Sequence, residues 1–260
     1  MRSRFLFTAG MVGVLSGVAS GATDGSDVDY GREYNPYVTL RGGWLFGGKT
    51  KYSDHLYEPP TTNIYGDRKK SFKSAWSGSS EFGVSLCDDR VLLGLELGYF
   101  SGKVKWEFDA TELARYSACP IINFNNGTYC IADGKYRNLF ATANVTLKKD
   151  VGERTFLYCG VGAGVARSDF GRVDWKWDDA GAKFTDKIDF KAKWRVLTQV
   201  FAGAGVYFNG NWSLTLGYRL RYLPGDCKGS KKFNTVGNTW SWTLKQNLLH
   251  AAEIGLTYQF

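Results

Sequence analysis

Leu248 to Phe260 reads LLHAAEIGLTYQF, and its alternation sets the reading of the whole chain. Counted back in twos, Phe260, Tyr258, Leu256, Ile254, Ala252 and Leu248 are apolar or aromatic, with His250 the exception. The other set is Gln259, Thr257, Gly255, Glu253, Ala251 and Leu249. Period two, with one oily face and one small or polar face, is the signature of a β-strand.

The pattern recurs along the chain. It predicts strands over Pro36 to Gly48, Ser79 to Asp88, Val91 to Trp106, Tyr136 to Lys148, Arg154 to Asp169, Lys193 to Phe208 and Trp212 to Tyr222. Short connections follow the second, fourth and sixth of these, including Asp88-Asp89-Arg90 and Asn209-Gly210-Asn211. Long ones follow the first, third, fifth and seventh: Lys49 to Gly78, Glu107 to Lys135, Phe170 to Lys191 and Leu223 to Asn247. An even number of antiparallel strands with that asymmetry describes an all-β, eight-stranded up-and-down transmembrane barrel, with short periplasmic turns and four long extracellular loops. Ten strands would result if Thr239 to Leu244 (TWSWTL) formed an extra hairpin arm; an extension of the seventh or eighth strand is expected instead.

Alternation does not by itself say which face points outward, and a soluble lipocalin-type barrel would turn the oily face in. Two features favour lipid outside. Aromatics flank the aliphatic runs, as in Trp194 and Phe208 or Trp212 and Tyr222, and the opposite face mixes glycine with Arg and Glu. A final aromatic residue also suits the interfacial girdle of a membrane strand.

The first segment fits export. Arg2 and Arg4 precede an apolar run from Phe5 to Val18, and Ala19-Ser20-Gly21-Ala22 supplies small residues for cleavage. The apolar run is short of the roughly 20 residues a spanning helix needs. Residues 1–22 are therefore expected to be a cleaved signal peptide, 23–35 a flexible polar lead-in, and 36–260 one barrel domain. Composition agrees, with Gly 32, Phe 17, Tyr 15 and Trp 9 against Pro 5 and Met 2.

The terminal Tyr258-x-Phe260 looks like the signal read by the barrel-assembly machinery of bacteria. With the Gly217-Tyr218-Arg219 segment and the loop asymmetry, the chain resembles small outer-membrane barrels such as the OmpA membrane domain, the opacity-type adhesins and the OmpW type. The resemblance implies an integral outer-membrane, cell-envelope protein with a surface role in membrane integrity, adhesion or antigen exposure, and occasionally porin-like passage of small solutes. No peptidoglycan-binding segment follows Phe260, so tethering to the cell wall is not expected.

Arg41, Arg195, Arg219 and Arg221 share the inward face with Glu81, Glu96 and Glu253. In a dehydrated lumen unpaired charge is costly, so the arginines are expected to fork onto the carboxylates. The network reads first as a structural plug and second as the lining of a narrow pore for ions or small solutes. Outer-membrane lipid A acyl hydrolases, palmitoyl transferases and omptin-type proteases rely mostly on His with Ser or carboxylate partners. Here the only histidines, His55 and His250, sit in no such motif, so no enzyme, no catalytic residue and no cofactor are expected. Gly160-x-Gly162-x-Gly164 lies inside a strand and reads as packing, not as a phosphate loop.

An oxidising compartment preserves disulfides. Cys119 and Cys130 bracket CPIINFNNGTYC and are a candidate bridge, for which Cys227 competes. Cys87 and Cys159 are expected as free, packed thiols on opposite faces, and no spacing suits a metal. Much of the net charge of +8 falls in two long loops: Lys69, Lys70 and Lys73 in the first, Lys231 and Lys232 in the fourth. Expected partners are outer-membrane lipid and lipopolysaccharide, the assembly machinery, and an anionic host or cell-surface ligand. A monomer is expected, and no nucleic acid.

Overall fold

The computed structural model describes residues 34–58, 62–71, 75–87, 89–108, 129–179, 182–232 and 239–260. The strands are β1 (Tyr34–Glu58), β2 (Thr62–Ser71), β3 (Ala75–Leu86), β4 (Val91–Phe108), β5 (Tyr129–Asp150) and β6 (Thr155–Asp169). They continue with β7 (Arg172–Asp179), β8 (Ala182–Asp189), β9 (Lys193–Tyr207), β10 (Trp212–Leu223), β11 (Cys227–Lys232) and β12 (Thr239–Gln259). Among the described residues no helix is long and apolar enough to cross a membrane.

Eight strands, β1, β3, β4, β5, β6, β9, β10 and β12, pair in that order, each antiparallel to the next. β12 then returns to β1, with Val38 opposite Tyr258 and Leu40 opposite Leu256. The sheet is closed, so backbone N–H and C=O groups pair strand to strand around the wall, with irregularities between β1 and β12 at Phe46/Lys49 and Lys51/Tyr52.

At one end the connections are tight. Arg90 N–H donates to Cys87 O at 3.2 Å, and Phe208 N–H to Trp212 O at 2.9 Å. The Asn209 side-chain oxygen accepts the N–H groups of Asn211 and Trp212, both at 2.9 Å. Cys87 and Asp89 hold φ of 54° and 65°, a left-handed backbone that non-glycine residues adopt only in turns this tight.

At the other end the ladder continues past the rim. β2 pairs with β1 from Lys49↔Ser71 to Glu58↔Thr62, and β11 pairs with the start of β12 from Cys227↔Leu244 to Lys232↔Thr239. β7 pairs with the start of β5, β8 pairs with β7, and a bridge joins Phe190 to Gly229 in β11. Much of what the sequence reads as long loops is thus hairpin wall. Extended pairing satisfies the backbone there, while outside lipid neither face needs to be oily, so β2 and β11 lack the alternation that betrays a strand; β7 keeps it, with Val173, Trp175 and Trp177 between Arg172, Asp174, Lys176 and Asp178. TWSWTL is the first part of β12, and the ring keeps eight strands.

Within the wall, Tyr37, Thr39 and Leu45 of β1 and Leu249, Ala251 and Glu253 of β12 are buried, whereas Leu40, Trp44, Phe46, Ala252 and Ile254 are exposed. The lumen is filled. Phe100, Phe140, Tyr136, Phe170, Phe190 and Leu197 form an aromatic and aliphatic mass toward the outer end, with Phe140 and Tyr136 each within 6 Å (5.9 and 5.8 Å) of the Phe100 ring. Tyr37, Phe156 and Phe201 fill the other half. Glycine makes room where large polar groups cross. A Cβ on Gly162 would stand on the Asn144 amide oxygen and 3.0 Å from Gln199 Cγ. Lumen packing is what the Gly160-Gly162-Gly164 repeat provides.

Candidate functional site

Between the two apolar masses lies a layer of charge. Glu81, on β3, is 1 % exposed; it accepts the Tyr37 hydroxyl at 2.7 Å and the Arg41 guanidinium at 3.0 Å. Glu96, on the neighbouring β4 and directly opposite Glu81 in register, is fully buried. Its Oε2 accepts Arg219 Nη1 at 2.7 Å, Asn144 Nδ2 at 2.9 Å and Gln199 Nε2 at 3.0 Å. Glu253, on β12, receives Arg219 Nε and Arg221 Nη2, both at 2.7 Å. Three guanidiniums therefore interleave with three carboxylates, and the layer is neutral overall.

The alternation of neighbouring strands explains the assembly. Each of these residues sits on the inward parity of its own strand, and cross-strand pairing brings the strands' inward side chains to one level. The aromatic masses complete the layer: Arg219 lies 4.5 Å from the Phe201 ring centroid and Arg221 5.1 Å from that of Phe140. Such faces attract desolvated cations. Some buried polar atoms make no hydrogen bond, among them Glu96 Oε1, which has the Arg41 guanidinium 4.0 Å away, Gln199 Oε1, and Arg221 Nε and Nη1.

Arg195, also on the inward face, reaches the backbone of a turn. Its guanidinium donates to the carbonyls of Leu223, Pro224 at 3.0 Å and Gly225 at 2.7 Å, the segment that turns out of β10. It ties that turn to β9 at the outer end of the lumen. Gly225, at φ of 91°, supplies the left-handed residue the turn needs.

The candidate basic patch is not one strand's surface. Lys69 and Lys70 belong to β2, opposite Lys51 and Thr50, while Lys231 and Lys232 belong to β11, opposite Trp240 and Thr239. The wall of β1 and β12 stands between the two pairs. Lys73 lies outside the described residues, as does Cys119; Cys130 is in β5, opposite Phe108 and Trp177. Cys227 is a free thiol, fully buried, with its Sγ 4.0 Å from Arg195 Nη1. Cys87 and Cys159 are free, but both are exposed rather than packed: Cys87 is in a turn, and Cys159 is on the oily outer face beside Ala202 and Leu147. His55 is on β1 opposite Tyr65, not in a loop. His250 is on the outer face, its Nδ1 bonded to the Tyr218 hydroxyl and its ring stacked 6.3 Å from Phe46.

The outer face itself is a belt of large apolar side chains open to their surroundings. Leu216 is 67 % exposed, and Leu40, Leu95, Leu139, Leu157, Val161, Val196 and Ile254 are all exposed. Trp44, Trp76, Trp194 and Tyr218 border the belt at its outer end, and Phe208, Trp212, Tyr258 and Phe260 border it at the end of the tight turns. Tyr258 packs between Trp212 at 4.8 Å and Phe260 at 4.9 Å. Charge inside and oil outside exclude the lipocalin arrangement, because water does not tolerate a continuous apolar belt of this size.

No family model matches the chain, and no curated protein matches it in sequence. Among solved structures it is similar to Neisserial surface protein A, at 16 % identity and a TM-score of 0.38, covering 86 % of this chain and 97 % of that one. It is similar to the outer membrane protease OmpT from Escherichia coli, at 13 % identity and a TM-score of 0.45, covering 92 % and 99 %. A major outer membrane protein from Thermus thermophilus gives 11 % identity and a TM-score of 0.43, covering 86 % and 99 %. Values this low transfer none of those proteins' activities; the chain's own closed ring and apolar belt carry the assignment. It is an integral outer-membrane β-barrel.

Proposed function

We propose that the chain is a closed structural barrel whose role is exerted at the cell surface, through the wall that rises beyond the outer rim. The observation that carries the reading is the filled lumen: a neutral layer of Arg41, Arg219, Arg221, Glu81, Glu96 and Glu253 between two aromatic masses. A barrel of this size has room for side chains or for a path, and here side chains take the space. Function then falls to the projecting hairpins, whose basic residues Lys69, Lys70, Lys231 and Lys232 suit an anionic ligand or cell surface. Catalysis is no part of the proposal, since His250 is turned to the bilayer with Tyr218 on its Nδ1.

A second reading, a narrow pore, draws on the atoms of Glu96, Gln199 and Arg221 that make no hydrogen bond, which would suit water in the charged layer. Single-channel recording of the refolded protein in planar bilayers separates the two, with an unboiled gel lane proving the folded barrel. Silence is expected; discrete reproducible openings that change on neutralising Arg219 or Glu253 would replace the structural reading with transport. For the surface role, Lys69→Glu with Lys70→Glu is expected to weaken adhesion to an anionic surface in a salt-dependent way, and unchanged adhesion would remove it.

A further inference from the structure

Among the described side chains, a cluster of exposed basic residues lies on the outward face of β4, β5 and β6 near the outer rim. Lys103 on β4, Lys135 and Arg137 on β5, and Arg167 on β6 are all exposed. Lys103 is directly opposite Lys135 in register, Ser101 opposite Arg137, and Leu139 opposite Arg167. Arg137 and Arg167 are therefore diagonal neighbours, and the four make one continuous outward patch. Immediately below it, on the same face, lie Tyr99, Leu139 and Val165, the top of the apolar belt. Trp194 flanks Arg167 on β9.

Like charges directly across a ladder destabilise it. Among the described residues none of the four meets a carboxylate: Asp169, the register partner of Arg137, accepts the Gly171 N–H at 2.7 Å instead. At a similar level across the ring, β1, β10 and β12 present Trp44, Phe46, Tyr218 and His250, an aromatic border. The patch is local, outward, and placed where acyl chains end and headgroups begin.

We infer that Lys103, Lys135, Arg137 and Arg167 form a binding site for the phosphate of a net-anionic lipid headgroup in the outer leaflet. Charge complementarity selects the headgroup, and the apolar belt beneath takes its chains. The site rests on the outer-membrane placement and is independent of the surface role of the hairpins.

The test is native mass spectrometry of the full-length folded protein released from detergent containing phosphatidylglycerol or phosphatidylcholine. Retention of phosphatidylglycerol over phosphatidylcholine is expected. Lys103→Gln, Lys135→Gln and Arg137→Gln together should weaken it about 100-fold, and Arg167→Gln alone about fivefold. Arg90→Gln, Lys149→Gln and Arg154→Gln together, exposed residues near the tight turns, should leave retention unchanged. Equal retention of both lipids, wild-type retention by the patch variants, or equal loss in the control would overturn the site. Displacement of the lipid by millimolar inorganic phosphate would also overturn it, as a free-anion site.

Discussion

Arg219 and Glu96 lie 123 residues apart in the chain and 2.7 Å apart in the lumen. The same guanidinium holds Glu253 with its Nε, so one side chain links β4 to β12 through β10. Removing one member of a buried pair strands its partner in a dry interior. Arg219→Leu is expected to cost about 3–5 kcal/mol in urea unfolding of the refolded barrel. Adding Glu96→Leu should recover part of that loss; strictly additive losses would show that the two groups do not act as a pair.

Leu216 is the most exposed of the large apolar side chains, on the outward face of β10. Leu216→Arg should cost about 2–4 kcal/mol when folding is measured in lipid vesicles, as for a cation placed in the hydrocarbon layer. A change close to zero would put that position in water.

Gly162 faces the lumen against Asn144 and Gln199. Gly162→Val forces those amides off Glu96, and a destabilisation of about 1–3 kcal/mol is expected from overpacking. Gly42, where an added Cβ meets nothing within 4 Å, is the control, and Gly42→Ala should be close to neutral.

The thiols should separate by environment. In variants retaining one cysteine each, Cys87 is expected to react with a water-soluble maleimide in the folded protein, and Cys159 only with a membrane-permeant reagent. Cys227 should react only after unfolding: burial pushes its thiol pKa up, so little of the reactive thiolate exists near neutral pH. Rapid labelling of folded Cys227 would contradict its burial beside Arg195.

What was legible in the sequence follows from where lipid touches the wall. Within the belt one face must be oily, so parity alone located Glu81, Glu96, Arg219 and Glu253 inside and Ile254 and Leu256 outside. Above the rim that constraint vanishes, and β2, β8 and β11 carry charge or polar residues at both parities, which reads as loop; β7 does alternate, Val173, Trp175 and Trp177 against Arg172, Asp174 and Lys176, but over a run short enough to pass as part of a loop. Parity placed Arg195 on its face, but its bonds to the Leu223, Pro224 and Gly225 carbonyls were not legible, because no residue type announces a backbone acceptor. Cys87 looked like a strand residue until its left-handed φ put it in the turn.

The joint between β1 and β12 has a kinetic meaning. Thr39 and Thr257, 218 residues apart, bring their hydroxyls to 2.8 Å across it. With that joint open, two rows of peptide groups would face hydrocarbon unpaired, each at a cost of several kcal/mol. A half-finished version of this wall has nowhere stable to wait. Insertion must therefore proceed as one event, slowed by the long search that brings the two most distant strands together.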